Sequence, residues 1–264
     1  SKNGKVRKWY EILKKGTESV VDRIFITGVA PITLDSLTSG FNIATDETRD
    51  RDLNEMLGFT KQELINLMDE LEISRKDQEK LLPIMKNNYD GYKFSIKGKE
   101  KVYNSNMCLY FLNQYSKYQE LPESLIDVNI ASDYSKIGKM LELCKGKRKK
   151  EILETTLSDK GIMTDIVEKF NPIVEFEERE FASMLFYLGY LTIAEESLGK
   201  PVLKIPNQIM REIYADFFMK VIDDETHLRI SENEYNEILE DVAIRGKIDK
   251  IVEIEHNNNI TTVC

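Results

Sequence analysis

"RIFITGVAPITLDSLTSGFNIATD", residues 23 to 46, begins with the one stretch of this chain that reads as a fully buried strand, and that strand runs directly into Thr27-Gly28. A buried strand ending in a small polar residue presents that residue at the carboxyl edge of a parallel sheet, where ligands bind. Thr27 is therefore the first candidate for contact with a ligand. Upstream, "VRKWYEILKKGTESVV", residues 6 to 21, places Val6, Tyr10 and Leu13 at helical spacing, and Gly16 suits a helix C-terminus. A helix followed by a strand is half of an α/β repeat, yet no comparable second strand lies nearby. A lone parallel strand cannot satisfy its two hydrogen-bonding edges. Its neighbours are expected either further along the chain or before Ser1.

Downstream the pattern turns helical. In "NEMLGFTKQELINLMDEL", Thr60 is a good N-cap with Glu63 at the capping-box spacing, and Leu64, Leu67, Met68 and Leu71 form an apolar face. A second helix is expected from about Ser74 to Asn87, with Ser74 and Asp77 at its start. The turn signals Asp90-Gly91 and Lys97-Gly98 flank an aromatic strand, "YKFSI", with "KVYN" pairing back as a short hairpin. A helix resumes over 106 to 118, and several more are expected over 131 to 169, interrupted by the basic run "KGKRKK", 145 to 150. From 176 the order is helix, hairpin, helix. Phe181, Leu185 and Leu188 share one face, "YLTIA" and "VLKI" are joined by "SLGKP", and Pro206-Asn207 opens a helix with Ile209, Ile213 and Phe217 on its inner face. Two helices bracketing a two-stranded wing resemble a winged-helix unit.

With 264 residues, 41% hydrophobic and 31% charged, the chain has the composition of a folded protein with a substantial core. A net charge of -9 argues against a surface that coats nucleic acid or anionic membrane as a whole. Cys108, Cys144 and Cys264 are widely spaced and odd in number, which excludes a disulfide framework and reads as reduced thiols in a cytoplasmic protein. No apolar run approaches the roughly 20 residues of a membrane helix, so no membrane partner is expected. The sequence opens on Ser-Lys-Asn-Gly, with neither Met nor an apolar signal region, and reads as a piece of a longer polypeptide.

The usual constellations of chemistry are missing. A phosphate-binding loop needs G-x-x-x-x-G-K-[ST]; the nearest matches, Gly91 to Gly98-Lys99 and Gly189 to Gly199-Lys200, have the wrong spacing and the wrong following residue. His227 and His256 stand 29 residues apart without Cys neighbours, so no zinc site is expected. Ser36 and Ser39 lack the strand-turn-helix context of a nucleophile elbow. Asp249, Glu253 and Glu255 alternate on a candidate strand, which suits a magnesium-dependent nuclease, but no Lys fills the third place; a solvated tail of alternating charge is the competing reading. "KGKRKK" suits either phosphate contacts or a solvated loop. The helix after the wing carries Arg211 and Lys220 against Glu212 and Asp216, a poor surface for a polyanion, and reads better as an internal packing module.

In order and spacing, "FITGVAPITLDSLTSGFNIATDET", "LNEMLGFTKQEL", "NNYDGYKFS" and "KVYNSNMCLYFL" resemble the AAA-ATPase-like family of bacterial and archaeal proteins, whose longer members often carry a PD-(D/E)XK nuclease-like domain at the C-terminus. The likeness covers about residues 20 to 115 and, less closely, the winged-helix-like part. Tyr89, Gly91, Tyr92 and Phe94 keep the family's pattern, whereas Asn88 and Ser105 stand where it commonly has Trp and Pro. The resemblance implies that "RIFITG" is the fourth core strand of a P-loop ATPase and that Thr27 sits where a sensor feels the γ-phosphate; a Thr that satisfies local backbone is the alternative. It places the phosphate loop and the magnesium-binding acidic strand before Ser1. ATP and magnesium then belong to the full-length protein, and no cofactor, metal ligand or catalytic residue is expected in this portion.

The expected architecture is mostly α with minor β (α+β): the end of a P-loop core over 1–48, a helical lid with a Tyr-rich hairpin over 49–170, a winged-helix-like module over 171–222, and an acidic, partly helical tail over 223–264. The expected function is that of the C-terminal portion of an AAA-like ATPase, inactive as an ATPase alone. Its expected partners are the upstream part of the same polypeptide and a nuclease-like domain downstream. A winged-helix module that binds nucleic acid or protein, and a fragment of a nuclease-associated protein, are the alternatives.

Overall fold

The computed structural model describes residues 2–28, 45–127, 155–157, 160–168, 170, 176–226, 237–238 and 240–241. The basic run 145–150, the carboxylates Asp249, Glu253 and Glu255, both histidines, Cys144, Cys264, Ser36, Ser39 and most of the helices expected over 131 to 169 lie outside these residues. What is described is α+β: six helices of ten residues or more and one small antiparallel sheet.

Helix α1 spans Lys2–Gly16 and ends at the expected glycine, whose carbonyl accepts from Val20 N (2.9 Å) and Val21 N (2.8 Å). Residues 23–28 then run without a strand assignment or a pairing partner among the described residues, and Phe25 is 71% exposed. This corrects the expectation of a buried strand. Apolar sequence alone does not make a strand, because its N–H and C=O groups need neighbours on both edges.

The next helices start where local chemistry says they should. Helix α2 (Lys61–Glu70) opens with a complete capping box: Glu63 N donates to Thr60 Oγ1 (3.2 Å) and Thr60 N donates to the Glu63 carboxylate (2.8 Å). Leu64 and Met68 are wholly buried, while Leu71 falls past the helix end and is exposed. Helix α3 (Arg75–Tyr89) opens on Ser74, which accepts from Asp77 N (3.2 Å), and buries Gln78, Leu81, Met85, Asn88 and Tyr89 along one side. Gln78 ties the two helices by donating to Asp69 (2.6 Å) and to the Ile73 carbonyl (2.9 Å). Helix α4 (Ser105–Tyr118), capped by Asn104, buries Met107, Cys108, Phe111, Leu112 and Tyr115.

Between α3 and α4 the expected hairpin is reduced to one isolated bridge, Tyr92 with Val102, while the next residue, Tyr103, bridges to Phe59 ahead of α2. The reason lies in where the backbone groups go. Phe94 N and Ser95 N donate to the Asn54 side chain (2.9 and 3.0 Å), and Lys93 N donates to Thr192 Oγ1 (2.7 Å). A ladder cannot extend through amides already engaged elsewhere.

The second half matches the order helix, hairpin, helix and adds a strand. Strand β1 (Ile162–Met163) precedes α5 (Glu178–Tyr187); β2 (Thr192–Ser197) and β3 (Lys200–Lys204) form the hairpin; α6 (Gln208–Thr226) follows. The sheet order is β1-β3-β2, with Ile162 and Ile193 both opposite Leu203. Leu198 (φ 51°) and Gly199 (φ 78°) make a two-residue turn with both residues left-handed, which matches the twist of the flanking strands. Two-residue β1 is too short to leave a period in the sequence. One helix face is corrected here. Helix α5 buries six consecutive residues, Phe181 to Phe186, and is enclosed on every side rather than on one. In α6 the expected inner face is present, with Ile209 buried and Ile213 and Phe217 half-buried against the core, and Met210 and Tyr214, both fully buried, widen it.

One continuous apolar core runs from Leu64 through α3 and α4 to Phe181, Leu203 and Tyr214. It is rich in buried phenols, which makes the fold alkali-sensitive. Burial pushes Tyr103 and Tyr187 from 10.0 up to about 12, and raises Tyr89 and Tyr214 as well. The unfolded chain ionises these groups near pH 10, so the stability they contribute is complete below that pH and is lost as the pH climbs through about 12. Helical circular dichroism and phenolate absorbance should change together over that window. Full phenolate titration near the ordinary tyrosine value, with helicity intact, would show the rings to be accessible.

Candidate functional site

Thr27 lies on the irregular stretch 23–28 and is exposed, as are Phe25 and Ile26 before it. Further along the chain, Thr48 N donates to the Asp46 carboxylate (2.9 Å) and Arg49 forms an ion pair with Glu168, just after β1. Tyr187, at the end of α5, joins this group. Loss of hydration raises its phenol first, Asp46 and Glu168 add to the rise, and Arg49 opposes it. Thus the segment that follows the expected ligand-binding loop is anchored to the sheet and α5.

The stretch Tyr89-Asp90-Gly91-Tyr92-Lys93-Phe94 is a joint between the α2–α4 layer and the β-sheet with α6. Thr192 Oγ1 accepts from Lys93 N and donates to the Gly91 carbonyl (3.1 Å), and Ile193 N donates to the Lys93 carbonyl (3.2 Å). From the other side Asn207, which caps α6 by accepting from Met210 N (3.1 Å), donates to the Asp90 carbonyl (3.0 Å). Gly91 (φ 109°) packs directly on the Pro206 carbonyl. Two ring contacts complete the joint: Phe94 lies 6.3 Å from Phe186, and Tyr190 meets Tyr214 edge-on at 6.2 Å. The Tyr-Asp-Gly-Tyr segment is therefore a packed element without the expected hairpin ladder, and its aromatic rings face the core: Tyr89 and Tyr92 are both buried.

Sequence reasoning passed over Asn54, Thr192 and the clamping half of Asn207. The only local signal was a polar residue inside an apolar or strand-like run, such as Thr192 in "YLTIA". The Cys108 thiol is pushed up by burial and by Asp90, which makes it a poor nucleophile. Among the described residues there is no group of three or more His, Cys, Asp or Glu side chains placed to hold a metal ion. No helix among them is long and apolar enough to cross a membrane. No family model, curated protein or solved structure matches the chain.

Proposed function

We propose that this chain is the lid and C-terminal module of an AAA-like ATPase, whose phosphate loop and magnesium-binding strand lie in an upstream part of the same polypeptide. The observation that carries the reading is the exposed stretch 23–28: Phe25 and Ile26 are 71% and 49% exposed on a segment without regular structure, and Thr27 beside them is exposed as well. Such a segment suits insertion between neighbouring strands, which would cover the apolar side chains and pair the backbone. The residues present fit one wall of a nucleotide site only. The Thr27 hydroxyl would donate to a phosphate oxygen, and the cation and the phosphate cradle would come from upstream. A nuclease-like domain downstream belongs to the same proposal.

The test compares ATP binding by residues 1–264 with binding by an upstream-extended chain, by calorimetry. Binding is expected in the extended chain alone, and there Thr27→Ala should slow hydrolysis on the order of 10²-fold, as the loss of one transition-state donor does, with Thr27→Ser restoring it. Micromolar ATP binding by residues 1–264 alone, or an unchanged rate in Thr27→Ala, would overturn the reading.

A winged-helix role in nucleic-acid binding is a second reading, favoured by the β1-β3-β2 order with α5 leading into the hairpin. Neither helix suits a groove: α6, after the wing, sets acidic Glu212 and Asp216 beside Arg211, and the buried run Phe181 to Phe186 of α5 leaves no free face. The same unit suits packing against protein, including other parts of the same polypeptide.

A further inference from the structure

Helix α1 carries six Lys or Arg residues against one Glu, in a chain whose net charge is -9. Its sides differ. Tyr10, Leu13 and Lys14, spaced three and four apart, are half-buried, whereas Trp9 and Ile12, one turn apart on another side, are 55% and 60% exposed. Tyr10 meets the Trp9 ring edge-on at 5.1 Å and leaves the indole open to solvent. Lys5 lies four residues before Trp9, Lys8 four before Ile12 and Lys15 three after it, so each borders the apolar pair, and all three are exposed. Glu11, the one carboxylate, lies beyond Lys8 and Lys15, about 160° round the helix from Trp9.

We infer that this side of α1 rests on an anionic lipid surface. Two exposed apolar side chains, one of them Trp, bordered by lysines make the pattern of a helix lying flat among lipid headgroups. The indole and Ile12 reach the acyl boundary, while Lys5, Lys8 and Lys15 extend to the lipid phosphates. Such a helix needs no membrane-spanning run. Packing against an apolar protein layer fits the same side less well, because it would strip three lysines of water. Nucleic acid would satisfy the lysines but gives Ile12 nothing apolar to enter. The acidic remainder of the chain does not oppose the contact at physiological ionic strength, where exposed charges more than about 8 Å apart are largely screened. The inference does not rest on the ATPase reading.

Trp9 is the only tryptophan, so its emission reports on this side alone. The test titrates residues 1–264 with vesicles of phosphatidylcholine mixed with phosphatidylserine, and with pure phosphatidylcholine vesicles as the neutral control. Mixed vesicles should move the emission to the blue and shield it from acrylamide, an effect that added salt weakens, and neutral vesicles should do so far less. Each lysine at the surface is worth about fivefold in partitioning, so Lys8→Gln should bind about fivefold more weakly and the triple variant Lys5→Gln/Lys8→Gln/Lys15→Gln about 100-fold. Lys76→Gln, at an exposed lysine on α3, should change nothing. All four lysines are exposed, so these variants keep the fold. Emission already blue and shielded before vesicles are added would mean that protein covers this side. That result, no shift with mixed vesicles, an equal shift with neutral ones, unchanged partitioning in the triple variant, or an equal blue shift with a single-stranded oligonucleotide would each overturn the inference.

Discussion

Replacing Gly91 with alanine is expected to destabilise the fold by about 4 kcal/mol, the range reserved for substitutions that break both backbone and packing. Two penalties combine. At φ 109° an L side chain is strained, at roughly 1–3 kcal/mol. A Cβ there would also run into the carbonyl group of Pro206, which is backbone and cannot swing aside as a side chain would. Relief requires the turn 205–207 to retreat, which breaks the Asn207 clamp on Asp90. Urea unfolding followed by circular dichroism measures the change. A loss below about 1 kcal/mol, the ordinary cost of a point substitution, would mean that the joint is loose.

Asn54→Ala should cost about 3 kcal/mol, or roughly 6–12 °C in melting temperature for a chain of this size class. Asn54 is wholly buried and satisfies three backbone groups of the 94–100 segment: its oxygen accepts from Phe94 N and Ser95 N, and its amide donates to the Glu100 carbonyl (2.8 Å). Alanine leaves all three without that partner inside the fold, and an unsatisfied buried group costs more than a made bond contributes. A second readout separates this role from simple loss of packing. The Asn54 amide is the leading cause holding the Glu55 carboxyl below its ordinary 4.5. In Asn54→Ala the Glu55 titration, followed by NMR, should move back up. An unmoved Glu55 would show that the side-chain bond does not form in solution.

Both residues mark the limit of what could be read from the chain. Helix starts were legible because a cap acts within three residues: Thr60, Ser74 and Asn207 each sit where a side-chain oxygen reaches a nearby N–H. The turn at Leu198-Gly199 was legible for the same reason. Asn54 and Thr192 were not, because their partners are 40 and 99 residues away in sequence. Nor was the enclosure of α5, since Ala182, Ser183 and Met184 carry no periodic mark of burial on the side away from Phe181 and Leu185.

By itself, then, the sequence determined the short-range features: where α2, α3 and α6 begin, where the β2–β3 hairpin turns, and that a helix, a hairpin and a helix follow one another after residue 176. These rest on contacts between residues a few positions apart. Only the tertiary structure decided the rest: that 23–28 stays outside any described sheet, that past the single Tyr92–Val102 bridge "YKFSI" gives its amides to Asn54 and Thr192 instead of to a hairpin partner, and that β1 completes the sheet. A strand's hydrogen bonds are made to other segments, so its fate is set by which segments arrive beside it.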